Sequence, residues 1–220
     1  MWATKSTAAV GVRVVRWRPC VFVVDDDAPV RDSLRWLLES AGLRVHTYAD
    51  AEEFLDAVRP DWCGCVVADV RLPGLSGLDL QRELGALGIH LPVVLISGHA
   101  TVTLAVQAMK GGALDFIEKP LGDGRILDSV QRALEEDRRW RSRRNRHVRF
   151  ALQLAQLSRR ERRVLELLAA GKTPRAIAAE LGLSEETLGA YRSRIQEKMG
   201  VHNEAALIRT LAGLSARGSL

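Results

Sequence analysis

From Cys20 onward, short apolar runs alternate with amphipathic stretches. Cys20-Val21-Phe22-Val23-Val24 is continuous and apolar, and it stops at three acids, Asp25, Asp26 and Asp27. Runs of this length, rich in β-branched residues and bounded by turn signals, read as strands buried on both faces of a sheet. The same reading covers 43–48, 63–69, 91–97 and 114–118. Between them, 29–41, 51–58, 77–87, 101–110 and 126–137 read as helices. In the first of these, Leu34, Leu37 and Leu38 fall at core spacing, Pro29 suits a first turn and Gly42 is the stop. Five strands alternating with five helices predict an α/β fold with a doubly wound parallel sheet. Right-handed crossovers then bring every strand's carboxyl end to one edge.

The pattern changes after residue 137. Ser158-Arg159-Arg160-Glu161 is a capping box, and Val164, Leu165, Leu167 and Leu168 follow at helical spacing until Gly171. Thr173-Pro174 opens a second helix, Gly182-Leu183-Ser184 makes a tight turn, and 185–199 forms a third helix ending at Gly200. A fourth is predicted over 204–212. The result is a small all-α four-helix domain whose second and third helices fit a helix-turn-helix, a pattern that any small helical bundle can also produce. On the third helix Leu188, Ile195 and Met199 face inward, with Tyr191 and Arg192 at the margins; Ala190 and Ser193 face outward, flanked by Gly189 and Arg194.

Charge divides the chain in the same place. Residues 1–137 carry a net −6, residues 138–150 a net +7 and residues 151–220 a net +4, within an overall +5. An acidic first part and a basic second part suggest that only the latter meets a polyanion, although a solvated basic face has the same composition. Residues 138–149 hold seven arginines and no acid. They read as a solvated interdomain linker over 138–156 in preference to a helical extension touching DNA phosphate or the acidic first domain, with Trp140 as the residue able to dock. Residues 1–19, basic and interrupted, read as a poorly ordered extension. No apolar run approaches the ~20 residues needed to span a bilayer, so no membrane partner is expected. Cys20, Cys63 and Cys65 read as core filling in a reducing cytosol, because no second Cys/His pair at zinc spacing accompanies them.

The sheet edge gathers specific chemistry. Asp25 and Asp26 follow the first strand, Asp69 ends the third, Ser97 ends the fourth and Lys119 follows the fifth. Each has an ordinary reading, the acids as a helix cap above all. Together they place three carboxylates where ligands bind in open α/β sheets. Mutual repulsion there calls for a cation, and Mg²⁺ binds through such oxygens and a phosphoryl oxygen. Ser97 can donate to a phosphoryl oxygen and Lys119 can offset its charge, so the set suits phosphoryl transfer onto Asp69.

Residues 20–137 resemble the receiver domain of bacterial two-component response regulators. The likeness rests on Val-Val-Asp-Asp-Asp-Ala-Pro-Val-Arg (23–31), Ala-Asp-Val-Arg-Leu-Pro-Gly-Leu-Ser-Gly (68–77), Ile-Ser-Gly-His (96–99) and Asp-Phe-Ile-Glu-Lys-Pro (115–120). It implies a flavodoxin-like strand order 2-1-3-4-5. It also implies phosphorylation of Asp69 by a sensor histidine kinase, with Mg²⁺ held by Asp25, Asp26, Asp69 and the backbone carbonyl of Arg71. Ser97 and Phe116 take the switch positions, Lys119 pairs with phosphate, and a cis bond precedes Pro120. Phosphorylation would draw Ser97 and Lys119 inward, turn Phe116, and remodel the 101–137 face through which resembling proteins form a homodimer. Arg71 and His99 occupy positions that tune phosphoryl lifetime.

Residues 157–214 resemble the LuxR-type DNA-binding domain through Leu-Ser-Arg-Arg-Glu-Arg-Arg-Val-Leu (157–165), Ala-Ala-Gly-Lys-Thr (169–173), Ile-Ala-Ala-Glu-Leu-Gly-Leu-Ser (177–184), Thr187 and Glu-Lys-Met-Gly (197–200). The pair of domains is similar to the NarL/FixJ family, on its FixJ branch, which implies a cytoplasmic transcription regulator with promoter DNA and RNA polymerase as partners and no enzyme activity of its own. Candidate DNA contacts are Thr187, Gly189, Ala190, Arg192, Ser193, Arg194 and Lys198, with pairing of DNA-binding domains through 203–214. Gly189 departs from the longer side chain usual there, and Tyr191 from the common histidine. Two rival readings stand beside this one. An aspartate-nucleophile phosphohydrolase would use the Asp-x-Asp in 25–27, but Pro29 stands where threonine is expected and no substrate cap is inserted. A binding protein that no longer uses phosphate would not need the complete acidic set.

Overall fold

The computed structural model describes residues 18–201. The predicted helix at 204–212, the pairing segment 203–214 and nearly all of the amino-terminal extension lie outside the described residues. The chain divides into two compact units between Trp140 and Arg141.

In the first unit, β1 (Cys20–Val24), β2 (Arg44–Tyr48), β3 (Gly64–Asp69), β4 (Val93–Ser97) and β5 (Asp115–Glu118) alternate with α1 (Ala28–Ser40), α2 (Ala51–Ala57), α3 (Gly77–Ala86), α4 (Val102–Lys110) and α5 (Asp123–Ala155). All strand pairings are parallel, in the order β2-β1-β3-β4-β5. The order reverses at β1 and β3, which places a crevice at their carboxyl ends.

Strand alternation makes two cores. Phe22 and Val24 of β1, Val66 and Ala68 of β3, and Leu95 of β4 pack with Phe54, Leu80, Leu84 and Ala108 from α2, α3 and α4. Val21, Val23, Cys65, Val67 and Ile96 point the other way, onto Leu34 and Leu38 of α1 and Ile126, Val130 and Ala133 of α5. Fully burying one such side chain contributes roughly 1.5–3 kcal/mol, so β1, β3 and β4 are held from both sides. Phe22 stacks on Trp62 at 4.7 Å between ring centroids, and Tyr48 meets Phe54 edge-on at 5.2 Å, closing the side of the sheet near β2.

Backbone geometry at the start of β3 is tighter than its apolar sequence suggests. Gly64 has φ +136°, and a Cβ there would lie 1.8 Å from the Cys20 carbonyl oxygen. Its N–H donates to Oδ2 of Asp137, a carboxylate fully buried on α5, at 3.1 Å. Burial pushes the Cys20 thiol up to about 11 and raises that of Cys65 as well, which suits core filling.

The predicted linker needs correction. Residues 138–155 continue α5 as helix, where a solvated linker was expected. Arg138 and Arg139 reach back to Glu135, one turn away, and Trp140 packs against His90 at 4.1 Å between centroids. Further along, Phe150 is buried and Leu154 packs beside it in the core of the second unit. Two apolar residues one turn apart suffice to dock the end of a helix, although they are too few to read as a stripe.

The second unit holds α6 (Arg159–Ala169), α7 (Pro174–Leu181) and α8 (Glu185–Met199). Val164, Leu165, Leu168, Ile177, Leu188, Ile195 and Met199 form its core with Phe150 and Leu157. Ser158 and Glu161 complete the capping box, and Gly182 and Gly200 end α7 and α8 in the left-handed region. The buried Glu161 carboxylate also accepts from Lys198 Nζ at 2.7 Å, tying α6 to the end of α8. That ammonium and the Ser158 N–H hold the Glu161 carboxyl below its ordinary 4.5.

Two outcomes are expected. Gly64→Ala should destabilise the first unit by about 3 kcal/mol or more, from backbone strain added to the clash, read as a lowered midpoint in denaturant followed by tryptophan fluorescence. A carboxyl with a lowered pKa contributes stability above its unfolded value and loses it as pH falls through the folded one. Glu161→Gln should therefore cost about 1–3 kcal/mol at neutral pH, and the gap from the parent should close as pH falls below 4.5; a gap constant with pH in thermal melts followed by circular dichroism would refute the link.

Candidate functional site

The carboxyl edge of the sheet assembles the predicted side chains from four strands. Asp25 follows β1, Asp69 ends β3, Ser97 ends β4, and Lys119 follows β5 through a cis Lys119–Pro120 bond. Asp25 and Ser97 are fully buried and Asp69 is nearly so, whereas Asp26 is exposed. One carboxylate oxygen from each of Asp25, Asp26 and Asp69 lies within 4.8 Å of the others. Lys119 Nζ donates to Asp25 Oδ2 at 2.7 Å and to Asp69 Oδ2 at 2.5 Å. The opposite oxygens accept backbone N–H groups, Asp25 Oδ1 from Asp27 at 3.0 Å and Asp69 Oδ1 from Arg71 at 2.8 Å.

These contacts do not make a side-chain helix cap. Asp27 is the N-cap of α1, yet its side chain makes no capping bond. Asp25 turns instead into the crevice, where burial raises its pKa and the Lys119 hydrogen bond only partly opposes this. Burial alone would lower the Lys119 pKa, but its bonds to the two carboxylates outweigh that and raise it. Two buried carboxylates facing one lysine leave an excess of negative charge, with exposed Asp26 at the rim. That donor set of hard oxygens suits a divalent cation such as Mg²⁺. Among the described residues no other cluster of His, Cys, Asp or Glu has metal-ligand spacing, and Cys63 and Cys65 belong to none.

Ser97 Oγ accepts from the His99 N–H at 3.2 Å, and the Lys119 N–H donates to the Ser97 carbonyl at 2.8 Å, so the serine and the lysine share one backbone frame. Phe116 is half-buried against the α2–α4 core, opposite Leu95 in the register. The Arg71 backbone enters through its N–H to Asp69.

Two supports went unread in the sequence. Arg31 Nη1 donates to the Asp25 carbonyl at 2.5 Å, pinning the chain where β1 ends. Gly77 opens α3 against the backbone at the end of β3: its N–H donates to the Val70 carbonyl at 3.1 Å, and a Cβ there would lie 2.3 Å from the Asp69 carbonyl oxygen. A glycine at the first position of a helix, where most residues are better helix formers, was the available signal.

In the second unit α8 presents Thr187, Ala190, Ser193 and Arg194 as exposed residues, with Gly189 and Arg192 partly covered. The Arg194 guanidinium sits 5.1 Å from the centroid of the Tyr191 ring. A Cβ at Gly189 would meet nothing within 4 Å, so packing does not demand that glycine. Lys198, expected to face phosphate, is engaged with Glu161.

Comparison with known proteins follows the same division. Residues 21–131 match the family described as response regulator receiver domain, and residues 155–211 match bacterial regulatory proteins of the luxR family. Nodulation protein W of Bradyrhizobium diazoefficiens is 46% identical over 189 residues, covering 86% of this chain and 83% of that protein. The transcriptional regulatory protein FixJ of Azorhizobium caulinodans is 44% identical, covering 89% and 93%. Among solved structures, the response regulator StyR superposes with a TM-score of 0.81 at 38% identity, covering 90% of this chain and all of that one. Full-length FixJ from B. japonicum gives 0.57 at 39%, covering 90% and 98%.

Gly77→Ala should move the Asp69 backbone and slow phosphoryl acceptance from acetyl phosphate by about tenfold or more, since misplacement of a reacting group by about an ångström can lower rates a hundredfold. Labelling at the parent rate would show that the close approach has no bearing on the acceptor.

Proposed function

Because this chain belongs to the response regulators that join a receiver domain to a LuxR-type DNA-binding domain, and so is a transcriptional response regulator, we propose that a sensor histidine kinase controls it through Asp69. The observation that carries the proposal is Lys119 bridging Asp25 and Asp69 at the sheet's carboxyl edge. An oxygen of the Asp69 carboxylate attacks the phosphorus of a phosphohistidine, the P–N bond breaks, and the imidazole leaves with the electron pair. Asp25, Asp26, Asp69 and the Arg71 carbonyl would hold Mg²⁺, which would supply positive charge against the carboxylates and the phosphoryl oxygens. Lys119 exchanges an Asp69 oxygen for a phosphoryl oxygen, and the Ser97 hydroxyl donates to another.

Movement of Ser97 and Lys119 then reaches the face beyond β4. Phe116 lies beside Leu95 in the sheet, and it turns inward as Ser97 leaves its place. The neighbouring α4 exposes Val102, Val106 and Met109, an apolar face suited to a second receiver in a homodimer. Two second units bring two copies of α8 to paired half-sites in promoter DNA. Thr187, Gly189, Ala190 and Ser193 line the groove, Arg194 reaches a base edge or phosphate, and Arg192 meets phosphate. Contact with RNA polymerase at the promoter and a cytoplasmic setting complete the reading.

Acetyl phosphate with Mg²⁺ should label the protein once, and Asp69→Asn should abolish the label without loss of fold. Survival of labelling in that variant would overturn the assignment. Sequencing of genomic fragments captured by the purified protein, with and without acetyl phosphate, should return paired half-sites enriched on phosphorylation.

A further inference from the structure

The arginine-rich part of α5 has no role in the phosphoacceptor site or in the helix-turn-helix, yet it is helical and belongs largely to the second unit. From 138 to 160 the chain has nine arginines and no acid. Seven of them lie in 138–149, which as helix spans about 18 Å at ~1.5 Å per residue. That is about one positive charge per 2.6 Å, against the one negative charge per ~1.7 Å carried along duplex DNA.

Helix formation here works against intrahelical repulsion. Arg139 and Arg143 stand four residues apart, and Arg141, Arg144 and the pairs Arg143–Arg146 and Arg146–Arg149 repeat at the spacings where like charges destabilise a helix. Glu135 serves Arg138 and Arg139 at the near end. Arg146 and Arg149 are exposed and make no ion pair among the described residues. What holds the helix is the docking of its far end: Phe150 and Leu154 enter the second core, and Gln153 Nε2 donates to the Met199 carbonyl at the end of α8 at 3.0 Å. Residues 143 and 146 precede Phe150 by seven and four positions, so they lie upstream on the same face of the helix as Phe150. The packing that anchors Phe150 therefore fixes the arginines to the unit that carries α8.

We propose that the exposed arginines Arg146 and Arg149 of α5, in the second unit, contact the phosphate backbone of the DNA bound by that unit and extend its footprint beyond the bases met by α8. This rests on the DNA-binding reading of the second unit. The contribution is electrostatic and independent of sequence, because guanidinium groups on phosphate position a protein without reading bases. It also offsets a recognition helix with few cations of its own, since Lys198 is taken by Glu161 and Glu185, Glu186 and Glu197 lie on α8.

The test uses the full chain and compares a random-sequence duplex with a captured genomic half-site pair, measuring affinity across a salt series. The double variant Arg146→Gln, Arg149→Gln should flatten the slope of log affinity against log salt by about 2, near 0.9 for each phosphate left unneutralised. Affinity should fall by a similar factor on both duplexes. Lysine at the same two positions should keep the parent slope, and single glutamine variants should each lower it by about 0.9, which keeps the proposal falsifiable if the double variant misfolds. An unchanged slope overturns the proposal, and an unchanged slope with an altered response to phosphorylation would assign these arginines to an acidic protein surface. Failure of the parent to bind either duplex would defeat the DNA-binding reading itself.

Discussion

Lys119 between Asp25 and Asp69 is the interaction on which the first unit's chemistry depends. Parallel strands with right-handed crossovers deliver their carboxyl ends to one edge, so a carboxylate after β1 and another at the end of β3 must share a crevice. Without a cation, burial would drive one of them to bind a proton, and the direction of the Asp25 shift shows that pressure. The lysine arrives from β5, three strands away from β1 in the sheet, and its 2.7 and 2.5 Å bonds offset part of the charge. What remains negative is what a divalent cation and an incoming phosphoryl group can use. The imbalance that makes this cluster of acids costly to bury also makes it responsive.

Such a site works only if the backbone beneath it stays in place. The supports are inconspicuous: Gly77 against the Asp69 carbonyl, Arg31 on the Asp25 carbonyl, and at the opposite end of β3 Gly64 pressed on Cys20 with its N–H met by buried Asp137. None of these residues touches the crevice oxygens. They fix where β1 and β3 begin and end, and with that the separation of the two crevice carboxylates.

The second unit solves a different problem, since its described helices α6, α7 and α8 are short and bury few residues. Its core borrows Phe150 from the end of α5, and the buried carboxylate of Glu161 is satisfied by a cap and by Lys198 together. Those commitments shift positive charge away from the end of α8 and leave it concentrated on the arginines of α5. Charge that looked like linker composition is thereby attached to a folded surface.

The parallel sheet and the placing of Asp25, Asp26, Asp69, Ser97 and Lys119 at its strand ends were legible because strands buried on both faces must be continuously apolar, and polar residues that end them are conspicuous, whereas the strand order followed only from the family resemblance. Ser158, Gly182 and Gly200 were equally readable, since caps act through their nearest neighbours. The helical state of 138–155 was not, because its anchor is Phe150 entering a core made by residues as distant as Met199, and local sequence holds only a charge run. The engagement of Lys198 and the roles of Gly64, Gly77 and Asp137 were hidden for the same reason. Sequence by itself determined periodicity, caps and the chemistry placed at strand ends, all short-range consequences of the chain. Only the tertiary structure decided which backbone carbonyls crowd a glycine and which charges are already paired, because those depend on contacts between residues far apart along the chain.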